Sequence, residues 1–390
     1  DRVNNVQGLY PGTFYSVMGL FVGPDEQRSV LIMRVVNVLI AVSLLALALR
    51  VLSPAIRSAL VIVVVVVYVP LGLFIIPSTN PSSWTLTGIT FLWAFGLALA
   101  RRTDWRSRRT WVLAAATITS AVLAIGSRVD AAAYVGVVVV VVLSLTGPRR
   151  ARKAWVASSL LVAIMLAGLI RFTTFGAPGS GVSGGMGGTE PGVGLLLTNI
   201  VYLPVYLSGA VGSMALGWND TALPPMVFVF GVLVLGALTY RGVQVLPARK
   251  LVASLLALAA LVLVPLVFLQ REGLGVGEVV QARYVLPLIV VLFATLSVSI
   301  PYWQVKRPGL PMARAGAWLI GVAMAATASV SLWVHAHRYA AGSTRGLFDI
   351  DLELEWTGLL PIPLPVVVAI GVAATITYMT AAMAGAYRDG

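Results

Sequence analysis

The sequence predicts an all-α, polytopic membrane protein with about eleven transmembrane helices, and three observations carry that prediction. First, 59% of the 390 residues are hydrophobic and only 11% are charged, whereas a soluble domain carries about 25% charged residues. The mean hydropathy is correspondingly high, at +0.94. Second, apolar runs of roughly 17 to 25 residues recur along the chain, each long enough to cross a ~30 Å hydrocarbon core. A membrane β-barrel would instead show alternating segments of about ten residues. Third, the net charge of +13 is gathered into short loops: RRTDWRSRR (101–109), RRARK (149–153), ARK (248–250) and VKRPGLPMAR (305–314). These loops alternate with loops poorer in Lys and Arg, which is the positive-inside pattern of an inserted protein in contact with anionic lipid. That placement speaks against nucleic acid as a partner. Cysteine is absent, which excludes disulfides, thiolate catalysis and Cys-based metal sites.

In order along the chain, residues 1–28 form a mostly polar outer segment containing Tyr10 and Tyr15. A first span over 30–49 descends to Arg50 and Arg57, and a second over 59–76 returns to the turn PSTNPSSW (77–84). Spans over 85–100, 111–125, 131–145 and 154–170 follow, with GSRVD (126–130) as an outer turn. The Gly-rich stretch 175–194 lacks the GKS/T of a phosphate-binding loop and has no preceding strand, so it reads as an outer linker. Residues 195–216 are apolar enough to cross, but Pro204 interrupts them and Asn199, Tyr202, Tyr206 and Ser208 dilute them. If they crossed, the basic loop 241–250 would lie outside. They are therefore expected to be a re-entrant or interfacial hairpin, since broken backbone at membrane depth is tolerated beside a cavity. The remaining spans are 225–240, 251–269, 284–300, 315–334 and 363–385.

This topology makes residues 1–390 one transmembrane domain with outer elaborations at 1–28, 172–224 and 336–362. It places 18 of 27 basic residues on the cytoplasmic side and 12 of 14 acidic residues outside. An N-terminus outside the membrane also predicts an exporting segment before Asp1, either a further helix or a cleaved signal peptide.

The polar residues with chemical potential lie mainly on the outer side. Arg271, Gln281 and Arg283 surround the start of a span, with Tyr284 just inside it; charges at such a place mark an ion path, a ligand phosphate or an internal pair. Arg283 is a phosphate or pyrophosphate ligand on one reading, because guanidinium binds phosphate oxygens in a fork, and a snorkelling arginine on the other. Asp220, with Trp218 in GWNDTALPP, is a base, a metal ligand, a sugar-hydroxyl acceptor or a helix N-cap. Asp130 is a second carboxylate, adjacent to Arg128 and able to form a simple ion pair with it. Asp25 and Glu26 read as an acid pair or a helix N-terminus. His335 and His337, the only histidines, lie two apart on a helix and so point in different directions, which disfavours a shared metal. The alternating carboxylates of FDIDLELEW (348–356) are a solvated ribbon or a site for a divalent cation. No other cofactor is implied, and no lipase, zincin, kinase or Walker pattern is present.

LYPGTFYSVMGLF followed by LIMRVVNVLIAVSLLALALR is similar to a segment of multispan GT-C glycosyltransferases. NPSS, GWNDTALP and QARYVLPLIVVLF resemble three landmarks of an uncharacterised family of predicted membrane proteins, common in actinobacteria and grouped with the GT-C enzymes. The resemblance implies transfer of a sugar from a polyprenyl-phosphate donor to a glycan or lipid acceptor of the cell envelope, at the outer face of a bacterial plasma membrane. It implies that Arg283 and Tyr284 contact the donor phosphate; Arg271 and Gln281 join them as candidates because they lie beside the same span. It also implies that Trp218 and Asp220 form the site wall, and the outer-side residues Tyr10, Tyr15, His335 and His337 are further wall candidates by position. The family's catalytic carboxylate normally sits early in the first outer loop, so the general base is expected upstream of Asp1, with Asp220 and Asp130 as weaker candidates. Two other classes remain open: a transporter or flippase of lipid-linked sugars, and a non-catalytic membrane subunit.

Overall fold

The architecture follows from the rule that backbone polar groups in a lipid-like interior must be satisfied within each segment. Valine-rich runs with high strand propensity, such as VIVVVV and VVVVVV, are accordingly helical. The computed structural model describes residues 11–175, 191–217, 221–278, 280–298, 314–342, 355–357 and 360–389. In chain order its helices are α1 (Gly12–Gly19), α2 (Glu26–Val51), α3 (Pro54–Val66), α4 (Leu71–Ile75), α5 (Ser82–Leu99), α6 (Arg108–Ser127), α7 (Val129–Thr146) and α8 (Pro148–Lys153). They continue as α9 (Trp155–Phe175), α10 (Val193–Tyr202), α11 (Pro204–Ala210), α12 (Pro225–Gln244), α13 (Ala248–Glu272), α14 (Ala282–Ser297), α15 (Arg314–Ala341) and α16 (Leu364–Asp389). A short antiparallel pair, β1 (Glu355–Thr357) and β2 (Leu360–Pro363), precedes α16.

Among the described residues, ten helical segments are long and apolar enough to cross a membrane, and α3 and α14 are shorter apolar helices. The sequence reading of eleven spans differs in three places. It takes 59–76 as one span, where the chain breaks after α3 and resumes as α4. It counts 284–300 as a span, which corresponds to α14, a helix of only 16 residues. It also leaves out 193–210, which qualifies by length and composition but is broken between α10 and α11 at Pro204.

Two helices form the centre. α5 is buried along nearly its whole length, and α14 is buried from Val285 to Leu296. Trp93 on α5 donates from Nε1 to Thr295 Oγ1 on α14 at 3.3 Å. α5 packs most closely on α6, and Gly88 is the reason: a Cβ there would lie 2.6 Å from the Ala124 backbone nitrogen and 2.7 Å from the Ser120 carbonyl. Without a hydrophobic drive between helices in lipid, such small-residue contacts supply the packing. Two hydroxyls of this core illustrate how polar groups are met here. Tyr68 donates to Thr90 Oγ1 at 2.7 Å, and Thr90 donates to the Leu86 carbonyl.

Long-range hydrogen bonds define two ends. At the basic end, Arg57 donates to the Leu49 carbonyl, Arg109 to that of Val51 and Arg249 to that of Thr146. Gly147 permits the last contact: its φ is +77°, and a Cβ there would strike the Arg249 guanidinium. At the distal end, Arg34 and Asn37 donate to the carbonyls of Pro77 and Ser78, and Asn37 Oδ1 accepts from Trp84 Nε1. Both termini of the α10–α11 segment are also held there. Gln270 donates to the Gly192 carbonyl, Asn199 donates to that of Leu274 and accepts from Val276 N, and Gly209 packs on Ala282. Val211 then dips against Gly231, two turns into α12, before Leu216 bridges back to Thr221.

Candidate functional site

The distal end carries a cluster in which guanidinium groups, a carboxylate and tyrosines contact one another. It forms where the N-termini of α7 and α14 meet. Arg128 is the residue between α6 and α7, held in extended conformation, and Asp130 is in the first turn of α7. Asp130 takes Arg128 in a fork: Nε to Oδ1 at 2.8 Å and Nη2 to Oδ2 at 2.9 Å. The same carboxylate accepts from the Ala131 backbone N–H at 3.0 Å, as an acidic residue at a helix N-terminus does. Tyr134, one turn further along α7, donates to the Tyr284 carbonyl at 3.1 Å and so fastens α7 to the start of α14.

Tyr284 is the meeting point. The Arg128 guanidinium carbon lies 4.2 Å from its ring centroid and that of Arg283 lies 5.1 Å away, both within cation–π range. Arg283 Nη2 also donates to the Tyr284 hydroxyl at 3.2 Å. Arg128 is largely covered, with 13% of its side chain exposed, whereas Asp130 keeps 32%. Ser82, at the start of α5, lies 3.5 Å from Arg128 Nη1, a long contact. Two guanidinium groups, one carboxylate and the positive ends of two helices therefore share a half-buried niche. Its net charge is positive, and guanidinium groups are the donors that bind oxyanions such as phosphate.

The other residues singled out from sequence are distributed as follows. Arg271 lies in the last turn of α13, exposed, and Gln281 is the N-cap residue of α14. Tyr15, on α1, is 38% exposed and edge-on to Phe14. His335 packs edge-on against Phe74 of α4, and His337 lies beside Trp333 one turn back. The helix is continuous through both histidines, so they serve different neighbours. Asp25 is the N-cap of α2 and accepts from Arg28 N at 3.1 Å. Tyr10, Trp218 and Asp220 lie outside the described residues, as do residues 348–354 of the acidic ribbon. Among the described residues, no three His, Asp or Glu side chains gather into a possible metal site.

Sequence reasoning did not place Arg128 and Tyr134 in the site. The only local signal was an Arg-x-Asp at a span end, which an ion pair explains. Their relation to Tyr284, 150 or more positions away, exists only in the packed bundle.

Fold and cluster together define a multi-pass helical membrane protein with a cationic, aromatic niche at one end. The chain belongs to the family described as "Predicted membrane protein (DUF2142)", whose model matches residues 1–292. No curated protein and no solved structure matches it.

Proposed function

We propose that the chain is a GT-C-like glycosyltransferase that moves a sugar from a polyprenyl-phosphate donor to a glycan or lipid acceptor at the outer face of a bacterial plasma membrane. The observation that carries this reading is the convergence of Arg128 and Arg283 on Tyr284. The cluster lies at the end opposite the basic loops, where the positive-inside rule puts the outside.

In this mechanism the acceptor hydroxyl attacks the anomeric carbon, and the bond to the donor phosphate oxygen breaks with inversion. Negative charge then grows on the departing polyprenyl phosphate. Arg283 and Arg128 stabilise that charge, and the α7 and α14 N-termini add to their field. Such preorganised donors are often the largest catalytic contribution in a site shielded from water. Asp130 engages the Arg128 fork through both oxygens, which makes it the group that positions this guanidinium. Deprotonation of the acceptor falls to a carboxylate outside the cluster.

The test is transfer by the purified protein from radiolabelled polyprenyl-phosphate sugars, with and without acceptor. Arg283→Ala should lose on the order of 10²–10³ in kcat, the usual consequence of removing one charge-stabilising donor. Arg128→Gln should follow it, with membrane insertion unchanged. Wild-type turnover in both variants would refute the role of the cluster. Movement of the intact donor across the bilayer with no glycosidic product would point instead to a transporter.

A further inference from the structure

A second feature lies at the other end of the molecule and shares no residue with the distal cluster. The last two turns of α7 and the first three turns of α9 enclose an open groove of about 680 Å³. Its walls are apolar: Val140 and Leu143 on one side, Val162 and Leu166 on the other. From Trp155 to Leu166 it follows α9 for roughly 17 Å at ~1.5 Å per residue. That is close to one leaflet of a ~30 Å hydrocarbon core. Val140, Leu166 and Trp155 are 40%, 48% and 67% exposed, so no other part of the described protein covers this surface.

The mouth of the groove is closed by α8, PRRARK, whose Pro148 and Ala151 belong to the lining. Its four basic residues, Arg149, Arg150, Arg152 and Lys153, are all exposed. Ser158 donates to the Ala151 carbonyl at 3.0 Å and fixes α8 against α9. Trp155 stands beside it, a side chain favoured at a membrane–water boundary. Positive charge is dense throughout this end. Burial lowers the pKa of the Arg101 guanidinium, and Arg150 lowers it further by like-charge repulsion. Asp104, in the same loop as Arg101, has its carboxylate occupied by the Arg106 backbone N–H.

We propose that this groove is a specific site for an anionic phospholipid, with an acyl chain along the α7–α9 cleft and the phosphate on α8. Apolar length matched to one leaflet, an interfacial tryptophan and a basic helix at the mouth are the complement of that molecule. A phospholipid without net charge would meet the cleft but gain little from the four cations, whereas Lys and Arg near a membrane surface attract anionic lipid.

The experiment is lipid binding to the purified full chain in detergent by native mass spectrometry, with thermal unfolding read in parallel. Dioleoyl phosphatidylglycerol should bind roughly tenfold more tightly than dioleoyl phosphatidylcholine, and raise the unfolding temperature, with the preference shrinking at high salt. Replacing Arg149, Arg152 and Lys153 together by Gln should abolish the preference while leaving unfolding in lipid-free detergent unchanged. Ser159→Phe, at an exposed position in the cleft, should weaken binding of both lipids. Equal affinity for the two lipids, a preference that survives the triple substitution, or a dimer of the chain occluding the cleft would each overturn the proposal.

Discussion

Single residues in this protein act through what they join. Asn37 is the clearest structural case: 1% exposed on α2, it donates to the Ser78 carbonyl and accepts from the Trp84 indole. α2 is otherwise the least covered long helix near the N-terminus, so this amide fixes its rotation and height against α5. Asn37→Leu leaves both partners unmatched in a buried setting. We expect it to lower stability by about 1–3 kcal/mol, measured by thermal unfolding in detergent. An unchanged melting temperature would show that α2 is held by apolar packing alone. The distal cluster has the same logic with a chemical outcome. Arg283 and Tyr284 are neighbours in sequence, but their companion Arg128 comes from a turn that local pattern explains as an ion pair. Reading Arg128 as part of the site needed its distance to the Tyr284 ring.

At the level of helices, composition and packing separate. The α5 sequence SSWTLTGITFLWAFGLAL has the lowest hydropathy of the ten membrane-length segments, yet it is the most buried. Its two glycines and its hydroxyl-bearing residues allow close approach and local hydrogen bonding, which in a bilayer outweigh added apolar surface. Gly88→Val should therefore be far more damaging than its chemistry suggests, because the new side chain meets α6 backbone. A loss of about 1–3 kcal/mol or more, or a fall in folded yield on size exclusion, is expected. The α10–α11 segment is the converse. Its hydropathy permits crossing, but Asn199 and Gly209 tie it to the 270–282 region, which begins and ends at one level of the molecule. Pro204 in the sequence marks the break, and the contacts decide where the broken pieces lie.

For the molecule as a whole, the sidedness of the two ends is directly testable, because a chain without cysteine is its own background for labelling. Val193→Cys and Gly277→Cys, both at the distal end, should react with a membrane-impermeant maleimide on intact cells. Arg106→Cys and Val245→Cys, in the basic loops, should react only after permeabilisation. The reverse pattern would move the cationic niche to the cytoplasm and end the proposed role with an outer-face donor. Labelling of Val193→Cys from the side opposite Gly277→Cys would mean that α10–α11 crosses after all.

The sequence by itself determined the class and the general architecture: apolar runs of bilayer length, basic loops on alternate turns and Pro204 in a diluted segment are local features that lipid reads directly. It also marked Arg283 and Tyr284, because a charge at a span end is conspicuous in one dimension. Only the tertiary structure decided that α5 and α14 form the centre, and that the α7 and α14 N-termini bring Arg128, Asp130 and Tyr134 to Tyr284. The same holds for α8 closing a groove one leaflet deep. Hydropathy records how each segment meets lipid, whereas these relations depend on which helices meet one another. That choice is made by close packing at small residues and by hydrogen bonds between partners far apart in the chain.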